Sequence, residues 1–206
     1  MSTVITAGCT VKVYFDRNDL EILSLCKVHG FNLPESDTVK GLFTIGYEGV
    51  SLDDFLATLE NSAIDVLLDI REFPVSRRKG FFKNALSEVL AEVDINYRHE
   101  RSLGSPKAIR HKFRVDGNHQ AFFRAFDRHL LRQNSLLQEL AEGLKGNVVL
   151  MCYEKDHIQC HRSSVAKALT EISGLEPTHL EVKPNEQGKS GYMQVSYQTQ
   201  QLQLLS

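Results

Sequence analysis

From Gly41 onward, short runs of β-forming residues alternate with longer stretches of helical periodicity, which restricts the chain to a mainly parallel sheet flanked by helices. Two of the runs, Val66-Leu67-Leu68-Asp69-Ile70 and Val148-Val149-Leu150-Met151-Cys152, are almost continuously apolar, as strands covered on both faces are. The first of them is expected at the centre of the sheet. Further strands are predicted at Leu42–Gly46, Ile95–His99 and Thr178–Val182. A helix begins at Ser51, where Leu52, Phe55, Leu56 and Leu59 recur at helical spacing and Asp54 completes a variant of the capping box. Other helices are predicted over Lys83–Val93, over two segments of Gln120–Leu144 that break around Gln133-Asn134, and over Ser163–Ile172, stopped by Gly174. Ser102–Gly117 is polar, basic and without a clean period, and reads as a loop. The predicted fold class is α/β, with a mainly parallel sheet of about five strands in a Rossmann-like, three-layer arrangement.

The chain has 206 residues, 42% of them hydrophobic, enough for one good core but not for two large ones by default. The α/β core domain is expected over residues 41–183, with an N-terminal extension over 1–40 and a C-terminal tail over 184–206. In the extension, Thr10–Phe15 alternates like a strand and Asn18–His29 has the pattern of a helix; the tail ends in a Gln-rich stretch. A net charge of −2 excludes a whole-molecule field that would draw the chain to nucleic acid or an anionic membrane, so anion binding requires a local patch. No apolar run approaches the roughly 20 residues of a membrane-spanning helix. Four scattered cysteines do not make a disulfide framework and the N-terminus lacks a signal-peptide pattern, which together predict a cytoplasmic protein.

In open parallel sheets, ligands bind beyond the carboxyl ends of the strands. Here those ends carry Gly46-Tyr47-Glu48, Asp69-Ile70-Arg71, His99-Glu100-Arg101 and Cys152-Tyr153-Glu154, so four strands deliver polar side chains to one edge. Cys160-His161-Arg162-Ser163-Ser164 follows and opens the last helix. Its N-terminal N–H groups and the Arg162 guanidinium suit a phosphate or carboxylate, and a thiol in that place can have a depressed pKa, making Cys160 a candidate nucleophile. The alternative is that Ser163 caps the helix and Cys160 packs as a small apolar residue.

Arginines and lysines cluster between Arg71 and Arg114, interleaved with Phe73, Phe81, Phe82, Tyr97 and Phe113, a mixture suited to phosphates and stacked bases. The candidate anion-binding set is Arg71, Arg77, Arg101, Arg162 and Ser163, and the candidate catalytic set is Cys152, Cys160, Glu154 and Asp69. No cofactor is required by the sequence. A metal held by Cys152, Cys160 and His161, with His99 or His157 nearby, is an alternative, but seven residues between the cysteines is not the spacing of a zinc knuckle.

Thr44-Ile45-Gly46-Tyr47, then Leu68-Asp69-Ile70-Arg71 with Pro74, Ser76 and Arg77, then Met151-Cys152-Tyr153-Glu154-Lys155 leading to Cys160-His161-Arg162-Ser163, resembles the domain-of-unknown-function family four-eight-eight over about 140 residues. The resemblance implies that the D-x-R element and the C-x7-C-H-R element belong to one site. The order of elements is also similar, in fold logic only, to rhodanese sulfur-transfer domains and cysteine phosphatases, although the loop from Cys152 to Arg162 is longer than their anion cradle.

The leading expectation is therefore an enzyme acting on a phosphate-bearing small molecule, a nucleotide or a nucleic acid. The alternatives are a non-catalytic nucleic-acid-binding module and a thiol redox or sulfur-transfer protein using Cys152 and Cys160.

Overall fold

The computed structural model describes residues 2–6, 9–13, 41–143 and 145–184. The chain divides into two compact units, Met1–Val39 and Lys40–Ser206. In the first, β1 (Ser2–Thr6) and β2 (Cys9–Val13) form an antiparallel pair in the register Ser2 to Val13 and Thr6 to Cys9. The strand expected at Thr10–Phe15 is represented by β2. The helix expected over Asn18–His29 and the Gln-rich tail lie outside the described residues.

The second unit follows the order β3 (Gly41–Gly46), α1 (Leu52–Asn61), β4 (Val66–Asp69), α2 (Lys83–Glu92), β5 (Asn96–His99), α3 (Lys107–Asp116), α4 (His119–Leu131), α5 (Asn134–Gly143), β6 (Asn147–Cys152), α6 (Arg162–Ser173) and β7 (Pro177–His179). A short 3₁₀ turn, Arg101–Leu103, precedes α3. The five strands form an all-parallel sheet in the order β5-β4-β6-β3-β7. Among the described residues, no helix is long and apolar enough to cross a membrane.

Side chains of a strand alternate between the two faces of its sheet, and here both faces are covered. Val148, Leu150 and Cys152 of β6 pack with Phe126, Leu130, Leu137, Leu140, Val165 and Leu169 of α4, α5 and α6. Val149 and Met151, one residue out of phase, pack with Phe55, Leu56, Leu59, Leu86 and Leu90 of α1 and α2. This two-sided burial is why β6 reads as an unbroken apolar run. Each such fully buried aliphatic side chain contributes about 1.5–3 kcal/mol.

Three expectations are corrected. The central strand is β6, not the Val66–Ile70 strand, which lies between β5 and β6. The last strand is assigned only to Pro177–His179; the Leu180 N–H still donates to the Thr44 carbonyl of β3 at 2.8 Å, and Glu181 and Val182 lie beyond it. Ser102–Gly117 is not a loop: it holds the 3₁₀ turn and the ten-residue α3. That helix lacks a fully buried residue, and only Ile109, Arg110 and Phe113 are half-buried, so its apolar side is short and narrow. Its ends were nonetheless marked, by Pro106 immediately before it and by Gly117, left-handed at φ 60°, after it.

Candidate functional site

The carboxyl ends of β3, β4 and β6 open onto a cavity of about 690 Å³. Tyr47, Arg71, Cys152, Glu154 and His161 line its inner part; Arg77, Arg78, Arg110, Arg114, Phe73, Phe113 and Phe122 are among the residues of its walls. The D-x-R element after β4 and the Cys-rich element after β6 thus meet at one cavity, because their strands are adjacent and parallel. The helix missed in the sequence, α3, supplies part of the wall and is braced by Phe113 against Phe122 of α4, with ring centroids 5.2 Å apart.

Asp69 is completely buried and both its oxygens are engaged. Oδ1 accepts from the Arg71 backbone N–H at 3.1 Å and from Nε at 2.8 Å; Oδ2 accepts from Arg71 Nη2 at 2.5 Å and from the Tyr97 hydroxyl at 2.7 Å. Arg71 Nη1 donates to the Tyr47 hydroxyl at 2.8 Å and to the Phe81 carbonyl at 2.9 Å. Burial works to lower the pKa of the Arg71 guanidinium, but Asp69, followed by Tyr47, raises it above the ordinary value. For the Tyr97 hydroxyl, burial and then Asp69 both push the pKa up. The link to Tyr97 was not read from the sequence; adjacent pairing of β4 and β5 brings it within reach of Asp69.

The second group is built by the loop from β6 to α6. The Cys152 thiol lies 3.1 Å, and the Cys160 thiol 3.0 Å, from the same Glu154 Oε2. His161 Nδ1 lies 3.7 Å from Cys152 Sγ, its Nε2 lies 3.2 Å from the Ile70 carbonyl, and Phe126 meets the ring edge-on at 5.0 Å. Cys160 is completely enclosed, and its thiol is pushed well above the ordinary range by burial and then by Cys152. This is the reverse of the depressed pKa expected from its place before a helix, because removal from water outweighs the helix dipole at this position. Burial works to raise the Glu154 pKa, but the thiol hydrogen bonds and the charge of His161 hold it below the ordinary carboxylate value. For His161, burial works downward, while Cys160, Glu154 and the Ile70 carbonyl take it upward.

Other expected site residues lie elsewhere. Arg162, almost fully buried, donates through Nη1 to the Glu154 carbonyl and through Nη2 to the Lys155 carbonyl at 2.8 Å. It lines a separate cavity of about 450 Å³ with Gly46, Glu48, His157 and His179. Ser163 Oγ donates to the Cys160 carbonyl at 3.0 Å and contacts that of His157. Arg101 lies over the Phe73 ring at 4.8 Å, outside the main cavity's lining. His99 bonds to the Arg71 carbonyl, and His157 stacks on His179 at 3.7 Å, so neither joins the thiols.

Comparison with known proteins agrees with the motif reading. The family model described as a domain of unknown function, DUF488, matches residues 51–169. The chain belongs to the DUF488 family. The matched region contains both the D-x-R and the C-x7-C-H-R elements of this chain, whereas Thr44–Tyr47, counted in the sequence resemblance, precedes it. Searches of curated proteins and of solved structures returned no match.

Proposed function

We propose that this DUF488 protein is an enzyme acting on a phosphate-bearing substrate of nucleotide size, with Cys152, Glu154 and His161 at the reacting end of the 690 Å³ cavity. The observation that carries this reading is the state of the wall arginines. Arg71 is tied to Asp69, Arg110 is paired with Glu72 at 2.6 Å, and Arg78 donates to the Val50 carbonyl. Arg77 and Arg114 line the same cavity and, among the described residues, have neither an ion-pair nor a hydrogen-bond partner. Two unengaged guanidinium groups beside Phe73, Phe113 and Phe122 suit an anionic group joined to a flat ring. Asp69 then positions Arg71 rather than reacting, since both its oxygens are occupied.

The test is binding of nucleoside mono-, di- and triphosphates and of short single-stranded oligonucleotides, followed by turnover. Arg77→Ala with Arg114→Ala should weaken binding by at least about tenfold, since each removes a charge-assisted contact of about 1.5–3 kcal/mol. Glu154→Gln should abolish turnover while binding persists. Wild-type affinity in the double arginine variant would remove the phosphate reading. Undiminished binding with no turnover of any bound compound would favour a binding module.

A further inference from the structure

We propose that Cys152, Glu154, Cys160 and His161 form a binding site for one divalent cation of the zinc class. One ligand atom from each residue can be chosen so that all four lie within 4.8 Å of one another. In a tetrahedral zinc site, bonds of about 2.3 Å to sulfur and about 2.0–2.2 Å to nitrogen and oxygen place neighbouring ligand atoms about 3.3–3.8 Å apart. The separations of 3.0 Å and 3.1 Å from the thiols to Glu154 fall slightly short of these values, and the 3.7 Å from Cys152 Sγ to His161 Nδ1 lies within them.

Hydrogen bonding supports the same assignment. Both thiols converge on one carboxylate oxygen, so two weak S–H donors meet an anion that has no ion-pair partner among the described residues. A divalent cation replaces those two protons with one doubly charged ion that all three electron-rich atoms share. Nε2–H donates to the Ile70 carbonyl, which leaves Nδ1 as the unprotonated nitrogen, 3.7 Å from Cys152 Sγ, with Nε2 4.0 Å from the same sulfur. A metal-bound imidazole characteristically gives its second N–H to a carbonyl or carboxylate. Arg162 fixes the main chain of the ligand loop by holding the carbonyls of Glu154 and Lys155.

Two thiolates, one imidazole and one carboxylate select a borderline-soft ion such as zinc over calcium or magnesium, which prefer oxygen. Cys152, Glu154 and His161 border the cavity and Cys160 does not, so the ion has one side towards the cavity and the other towards the core. Binding converts two thiols to thiolates and releases two protons to solvent. The assignment does not depend on the phosphate reading, and metal uptake tests it without any substrate.

The experiment uses the full chain, fully reduced, stripped of metal and titrated with cobalt(II) and then zinc. The expected result is one ion per chain, with a sulfur-to-cobalt charge-transfer band, intense visible d–d bands of a four-coordinate ion, displacement by zinc and release of about two protons per ion. Cys152→Ser and Cys160→Ser should each remove about half of the charge-transfer intensity. Glu154→Gln, which preserves side-chain shape and is the safer variant if the cysteine variants do not fold, should weaken cobalt binding by at least about tenfold. Absence of stoichiometric uptake by the reduced wild type, uptake without the charge-transfer band, or unchanged affinity in Glu154→Gln overturns the assignment.

Discussion

Replacing Asp69 with Asn keeps the shape of the side chain and removes its charge. In the native protein the carboxylate is fully buried, and its two oxygens take three donors from Arg71 and one from Tyr97. An asparagine presents one acceptor and one donor, and in either amide orientation its NH₂ faces an N–H of Arg71. The guanidinium, only 6% exposed, is left without its counter-charge. Removing one partner of a buried ion pair costs about 3–5 kcal/mol, a large part of the stability of an ordinary domain. At about 3–4 °C per kcal/mol for a domain of this size, Tm should fall by about 10–20 °C. Tyr97→Phe, which deletes only one hydrogen bond to the carboxylate, should cost about 1.5–3 kcal/mol. The assay is urea denaturation of the full chain with a double-mutant cycle. Arg71→Met added to Asp69→Asn should recover part of the loss, with an interaction of about 2 kcal/mol. If Asp69→Asn costs under about 1 kcal/mol, or the two changes add to within about 0.5 kcal/mol, the paired-charge account of this site is wrong.

At Gly46, a Cβ would lie 1.9 Å from the Glu154 carbonyl oxygen and 3.1 Å from Arg162 Nη1, so Gly46→Ala should destabilise by more than the about 1–3 kcal/mol of ordinary overpacking, measured by thermal melting. At Gly49, where φ is +78° and the surroundings are open, alanine should cost only about 1–2 kcal/mol of backbone strain in the same measurement. His179 should titrate below the ordinary histidine value in an NMR pH series, because partial burial, then the neighbouring His157 and Arg162, disfavour its charged form. The folded state then binds fewer protons there than the unfolded chain, so this residue contributes stability that is lost as pH falls below about 6.5. His157→Gln should move the midpoint upward, and an unmoved midpoint would exclude the charge interaction.

Legibility from sequence followed burial. β4 and β6 were readable because Leu67 and Leu68, or Val149 and Leu150, enter cores on opposite faces of the sheet, so that successive residues are apolar. The contiguity of Asp69–Arg71 with Cys152 and His161 followed from the rule that parallel strands deliver their ends to one edge. The α3 helix escaped because its apolar side is only Ala108, Ile109 and Phe113 among basic residues, and it is held by a few contacts around Phe113. Arg162 shows a different limit. An arginine at a helix start reads as an anion ligand, yet its guanidinium is taken by two main-chain carbonyls, and one-dimensional spacing does not distinguish a carbonyl oxygen from a phosphate oxygen. The convergence of both thiols on Glu154 likewise needed the fold of the loop, since neither C-x-E nor E-x5-C is a recognised ligand spacing.

Glu154 is gripped twice, by separate means: Arg162 holds its backbone, while its carboxylate faces the two sulfurs. Backbone support and side-chain contact are therefore decoupled at this position. A chain with the same loop can exchange the group that meets the sulfurs, by aspartate, histidine or a third cysteine, without rebuilding the support beneath it, so a single codon at position 154 changes what the two thiols face.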